Sequence, residues 1–222
     1  MSYPIQLDIE DRLVAVVGGG AVAERRIHRL LDHGAEIRLV APAVTDHLAQ
    51  LAATDSVDHR DRPYEESDLA GARLAFATTD DPSVNRRVAN EANEREIPVN
   101  VADRSTESDF SVPAVARFEH LRLTIDTDGG SPALSAALRR HLESELSEGW
   151  DRAAGVLADL RDEAVETLDP RDRRTLFREL VDALPKGASG EHGDLRNWLV
   201  EAAVRTGIDP DALDWSSYLE DE

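Results

Sequence analysis

The segment LVAVVGGGAVAERRIHRLL, residues 13–31, constrains this chain more than any other stretch. Its first five residues are apolar without alternation and rich in β-branched side chains, as a strand buried on both faces requires. Three glycines interrupt the run. Ala23, Ile27, Leu30 and Leu31 then recur at helical spacing, and Gly34 is placed to end the helix. Within this strand–turn–helix context, Gly18-x-Gly20-x-x-Ala23 has the spacing of a dinucleotide fingerprint. Gly18 permits the tight turn, Gly20 removes a side chain that would block a pyrophosphate, and Ala23 lets helix and strand pack closely. The backbone of Gly18, Gly19, Gly20, Ala21 and Val22, at the positive end of a helix, suits phosphate.

The same alternation continues downstream. EIRLVAP (36–42), RLAFATT (73–79) and IPVNVAD (97–103) read as strands. VTDHLAQLAA (44–53) and DPSVNRRVANEANERE (81–96) read as helices, the latter with Pro82 in its first turn. Strands alternating with helices predict an α/β fold: a Rossmann-like parallel sheet with right-handed crossovers. Near residue 110 the pattern changes. FSVPAVARF and HLRLTIDT are close together, and in the second Leu121, Leu123 and Ile125 alternate with polar residues, the mark of a half-exposed antiparallel strand. From Pro132 onward the chain reads as helical, with PKGASGEHGD (185–194) as a flexible connection and short helical pieces at the end. The expected organisation is a Rossmann domain over 1–112, a segment with antiparallel strands over 113–149, and a small helical domain over 150–222.

Composition removes several functions. There is no cysteine, hence no disulfide, thiolate nucleophile or cysteine metal site. The histidines (28, 33, 47, 59, 120, 141 and 192) lack the close sequence spacing of a preformed metal site, and none is predicted. The 45 acidic residues outnumber the 25 basic ones for a net charge of -20, which argues against a nucleic-acid partner. No apolar run approaches the roughly 20 residues of a membrane span, and MSYPIQLDIEDR lacks the basic start and apolar core of a signal peptide. A soluble cytoplasmic protein is expected. Lys186 is the single lysine. An acid-rich, lysine-poor chain fits either a cation-rich partner or adaptation to high salt, and the spread of acids along the whole length favours the second.

Ligands of open α/β sheets bind beyond the carboxyl ends of the strands. The strand ending at Val40 carries no acid there to hold a ribose, so backbone groups at Pro42 and Ala43 take that role in our reading, and the residues leave NAD and NADP open. Arg38 is either a 2′-phosphate ligand or a solvated strand arginine. Thr78, Thr79 and Asp80 end the next strand at the same edge, where they can meet cofactor or substrate. Asp81 is placed to cap the helix at Pro82. Asp103, just past IPVNV, is the candidate proton acceptor, and partial burial would raise its pKa into a useful range. Asn100 on that strand is a candidate for orienting the site.

In order, PIQLDIEDRLVAVVGGGAVAERR, LVAP, ATTDDPSVNRRV, PVNVAD and DGGSPALSAALRR resemble precorrin-2 dehydrogenase, the N-terminal part of siroheme synthase, over about residues 4–145. The resemblance implies NAD as cofactor, precorrin-2 as substrate and sirohydrochlorin as product. It also implies a homodimer joined through the segment that follows the Rossmann domain, and it assigns the key aspartate of the NVxD position to Asp103. Asn85 matches the DDxxVN pattern. Ser131 falls in DGGSP, one residue shorter than the usual GGTSP, and is either part of an anion site or an N-cap before Pro132. Precorrin-2 carries eight carboxylates, so arginines must meet it. Arg117 and Arg139 are the candidates, with Arg122 and Arg140 behind them. Some members of such a family also insert ferrous iron. A nucleotide-sensing module without chemistry would share the glycine loop but would not need NVAD or the helical tail.

Overall fold

The computed structural model describes residues 3–54, 56–102, 104–146, 148–182, 184, 198, 202 and 204–207. The chain forms two compact units, Met1–Val112 and Pro113–Glu222. In the first, β1 (Leu13–Val17), α1 (Ala21–Leu31), β2 (Glu36–Val40), α2 (Asp46–Ala52), β3 (Val57–Arg60), β4 (Leu74–Ala77), α3 (Pro82–Glu94) and β5 (Val99–Val101) follow one another. All neighbouring strands pair in parallel in the order β3-β2-β1-β4-β5. This is the doubly wound arrangement, with its topological switch point between β1 and β4.

Side chains of a strand point alternately to opposite faces, and here each face builds its own core. Val14 and Val16 of β1 join Ile37, Leu39, Leu74 and Phe76 beneath α1 and α2, which bury Ala23, Ile27, Leu30 and Leu48. Ala15 and Val17 join Val40, Ala75, Ala77, Val99 and Val101 against Val88, Ala89 and Ala92 of α3. Burying one such aliphatic side chain contributes roughly 1.5–3 kcal/mol, so β1, committed on both faces, anchors the unit. Gly34 ends α1 as expected. At φ +71° it donates to the Leu31 carbonyl while Ala35 donates to that of Leu30, a Schellman closure.

One strand was not anticipated. VDHR, β3, has a single buried apolar side chain, Val57, too little for a periodic signal. It is a strand because the edge of β2 supplies its ladder.

In the second unit β6 (Ala114–Arg117) and β7 (Arg122–Ile125) form the antiparallel pair, followed by α4 (Pro132–Glu145), α5 (Glu148–Thr167) and α6 (Pro170–Asp182). Leu160, Leu176, Leu180, Trp198 and Ala202 form a separate core. The Asp151 carboxylate accepts the N–H groups of Glu119, His120 and Leu121 at 2.8–3.0 Å, which fixes the β6–β7 turn to α5. One helical turn later a Cβ on Gly155 would come within 2.8 Å of the His120 ring, so a larger residue there would have to displace that side chain. The flexible connection expected over 185–194 lies outside the described residues. Among the described residues, no helix is long and apolar enough to cross a membrane.

Candidate active site

The glycine loop links β1 to α1 at the switch point, and its three glycines answer to different constraints. Gly18 has φ +115°, and a Cβ there would meet the Thr78 backbone and hydroxyl at 2.8 Å. A Cβ on Gly19 would lie 2.1 Å from the Ala43 carbonyl oxygen. A Cβ on Gly20 would meet no protein atom within 4 Å. The fold itself therefore demands glycine at 18 and 19, whereas the space in front of Gly20 is open. Gly20 is also the N-cap of α1, and no side chain caps it. Of the loop amides, that of Gly18 donates to the Val40 carbonyl, so Gly18 shapes the loop.

That space is a cleft of about 730 Å³ lined by the loop residues Gly18, Gly19, Gly20, Ala21 and Val22, by Pro42, Ala43, Val44 and Thr45 after β2, by Thr78, Thr79 and Asp80 after β4, and by Pro63, Tyr64 and Val84. Every cofactor-binding residue named from the sequence lines it. Its size suits a ligand, and Asp80 is the single charged side chain of its lining. Uncapped helical amides, a glycine cradle free of Cβ atoms and a wall with a single acidic side chain fit a dinucleotide. No acid stands at the end of β2. Arg38 is turned away from phosphate duty: its Nη1 donates to the Asp68 and Ala70 carbonyls at 2.9 Å, and its Nε lies 3.5 Å from Asp58.

Two networks hold the cleft walls. Thr78 is buried and donates to the Val17 carbonyl at 2.9 Å, joining the ends of β1 and β4. Asn85 is buried rather than exposed, the reverse of an ordinary polar helix position. Its Oδ1 accepts from the Thr79 N–H and hydroxyl at 3.1 and 2.7 Å, and its Nδ2 donates to the Thr79 carbonyl at 2.9 Å. Sequence pattern marked Asn85 but could not reveal this latch, which depends on how the chain turns after β4. Asp81 caps α3 through the Ser83 N–H at 2.7 Å, and the Ser83 hydroxyl and N–H hold its carboxyl below the usual range.

On the opposite wall, Tyr64 donates to Glu91, which also accepts from the Ser67 N–H and Arg95 Nε at 2.9 and 2.8 Å. Burial, and then the Glu91 carboxylate, push the Tyr64 phenol up. The fully buried Asp68 side chain receives Arg60, Arg62 and the Glu65 N–H at 2.6–2.9 Å. Burial alone would raise its pKa, but these donors outweigh it and hold the carboxyl down at about 2. The sequence does not single out Asp68, Tyr64 or Glu91, because the Arg60 and Arg62 partners of Asp68 lie on and after β3, and Tyr64 and Glu91 are 27 residues apart.

The remaining predicted residues have local tasks. Asn100, half-buried on β5, donates to the Phe110 carbonyl at 2.8 Å. Asp103 lies outside the described residues; its neighbour Ala102 donates to the Ala77 carbonyl at the end of β4. In the second unit Ser131 is the N-cap of α4, accepting from the Leu134 N–H at 3.2 Å. Arg139 donates to both oxygens of Glu143 at 2.6 Å, and Arg117 stands opposite Arg122 across the antiparallel pair. Two of the scattered histidines meet: the rings of His28 and His47 lie 4.4 Å apart. Sequence spacing could not show this, because α1 and the start of α2 converge only once β1 and β2 are paired.

Residues 5–114 match a family model described as "Putative NAD(P)-binding". Among curated proteins, the chain is 32% identical over 210 residues to a siroheme synthase of Thioalkalivibrio sulfidiphilus, covering 93% of this chain and 43% of that protein. It is 34% identical over 217 residues to a siroheme synthase of Azotobacter vinelandii, covering 96% and 46%. The chain thus spans less than half the length of these relatives. Among solved structures, SirC, a precorrin-2 dehydrogenase, superposes with a TM-score of 0.75 at 27% identity, covering 91% of this chain and all of that one.

Proposed function

We propose that this chain, which belongs to the precorrin-2 dehydrogenase family found as the N-terminal part of siroheme synthase, dehydrogenates precorrin-2 to sirohydrochlorin with NAD. The observation that carries the proposal is the open face of Gly20 at an uncapped helix start, in a chain that matches a precorrin-2 dehydrogenase along that protein's whole length. When bound, NAD supplies the hydride acceptor. The chain supplies the rest. The amides at the start of α1 hold the pyrophosphate, and Pro42 and Ala43 border the adenosine half. Thr78 and Thr79, fixed by the Val17 carbonyl and by Asn85, border the reacting half. Asp103, which follows β5 in the sequence, takes up the proton that leaves the macrocycle in this reading. Asn100, Ser131, Arg117 and Arg139 contact substrate in this reading. Arg139 exchanges its Glu143 partner for a substrate carboxylate, and each substitution raises KM for precorrin-2.

The chain works as a cytoplasmic homodimer in this reading. The segment after the first unit leaves Leu134 and Leu138, one turn apart on α4, 50% and 39% exposed, an apolar stripe suited to a second copy. The acid excess we assign to adaptation to high salt.

The deciding experiment mixes purified protein with precorrin-2 and NAD in concentrated salt and follows NADH and sirohydrochlorin together. Both should form in equal amounts. Asp103→Ala should abolish turnover and leave NAD affinity within about twofold. If NAD binds but neither product forms, the protein is a sensor of the nucleotide. If Asp103→Ala loses NAD binding as well, the aspartate is structural.

A further inference from the structure

A second constellation lies on the outer side of the α1–α2 pair. Glu24 and His28 are one helical turn apart on α1, and His47 is in the first turn of α2. His28 Nε2 is 3.2 Å from His47 Nδ1, and His47 Nδ1 is 3.5 Å from Glu24 Oε1. One ligand atom from each residue lies within 4.8 Å of the other two. Donors around a tetrahedral ion with bonds of roughly 2.0–2.2 Å are about 3.3–3.6 Å apart. The two measured edges therefore already have the spacing of a coordination shell. Two imidazole nitrogens facing at this distance share at most one proton, and a cation can take that proton's place.

The carboxylate is prepared in the same sense. Thr45 Oγ1 donates to Glu24 Oε2, leaving Oε1 toward His47. A hydrogen bond to the second oxygen of a ligating carboxylate fixes its orientation, as outer partners do in metal sites. Thr45 is itself tied to the first turn of α2 through the Leu48 N–H at 3.3 Å.

We propose that Glu24 Oε1, His28 Nε2 and His47 Nδ1 form a binding site for a divalent first-row transition-metal ion of the Zn²⁺ type, with water completing the shell. Two imidazoles and one carboxylate suit Zn²⁺, Co²⁺, Ni²⁺ or Cu²⁺ and disfavour Mg²⁺ and Ca²⁺, which require oxygen donors. The site staples α1, whose start faces the nucleotide cleft, to α2, whose preceding residues Val44 and Thr45 line it. It is independent of the dehydrogenase reading, since none of its three ligands lines the cleft.

The test uses metal-stripped full-length chain without nucleotide. Co²⁺ titration followed by visible absorption should give the intense band of a tetrahedral ion at one equivalent per chain, and Zn²⁺ should displace it. Glu24→Gln should weaken Zn²⁺ binding about tenfold, and the His28→Ala/His47→Ala pair by about 100-fold or more with loss of the band. NAD titration and circular dichroism of the same variants should match the wild type, which separates a failed metal site from a failed nucleotide site. If the double substitution does not fold, His47→Gln alone carries the test, because that side chain is 51% exposed. Equal Zn²⁺ affinity in wild type and variants, or a weak octahedral Co²⁺ spectrum, overturns the proposal.

Discussion

At Gly19 and Gly20, adjacent residues of one motif carry opposite obligations. Gly19→Ala places a methyl against a backbone carbonyl that cannot move without displacing Pro42 and Ala43. It should cost about 2–4 kcal/mol, read as a lower denaturation midpoint. Gly20→Ala should leave that midpoint within about 0.5 kcal/mol, since a lost glycine in an open position costs little, yet weaken NAD binding at least about tenfold in a fluorescence titration. The motif was legible in the sequence because spacing carries it. What distinguishes its members was not, because that depends on Ala43 and Thr78, brought up from other strands. Asp68 makes the same point for charge. Its carboxyl is held at about 2 against an ordinary 3.8. A depressed folded-state pKa contributes stability above the unfolded value, and that contribution is lost as pH falls from about 4 toward 2. Asp68→Asn should lower stability at pH 7 by roughly 1–3 kcal/mol and flatten the acid limb of a urea-midpoint-against-pH curve over that interval.

Elements were readable from the chain to the degree that their own residues determine them. β1, α1 and α3 carry their apolar periodicity and caps within their own span: Gly34 closes α1, and Asp81 with Pro82 opens α3. β3 has one buried apolar side chain and exists by virtue of β2, so no local pattern announced it. The turn between β6 and β7 is a similar case. Three of its N–H groups depend on the Asp151 carboxylate, about 30 residues downstream. Asp151→Ala strands those donors and should destabilise the second unit by about 1–3 kcal/mol, while hydrogen exchange in the five-stranded sheet stays unchanged. Asp151→Asn, which keeps an acceptor oxygen, should recover part of the loss. Faster exchange confined to residues 118–121 and α5 would verify the local origin of the effect.

Over the whole molecule, charge is the dominant long-range term. At a net -20, mutual repulsion opposes the compact state in dilute buffer and is screened as the Debye length falls from about 10 Å at 0.1 M to about 3 Å at 1 M. The melting temperature should therefore climb by several degrees or more between those concentrations, and an equal rise with sodium chloride and potassium chloride would identify screening as the cause. A flat or falling curve would remove the high-salt reading. The overall α/β order was evident from alternating strands and helices. The two-faced commitment of β1 was equally evident, since an unbroken apolar run has no solvent side. That commitment has a consequence for how occupancy is sensed. The hydrophobic layers above and below the central sheet share one wall, and the cleft opens at its carboxyl end. A nucleotide seated there cannot stiffen one layer and spare the other. Saturation at 100 times Kd, worth about 2.7 kcal/mol, would be felt by Leu48 and by Val88 alike, so a probe buried in either layer would report the filled state.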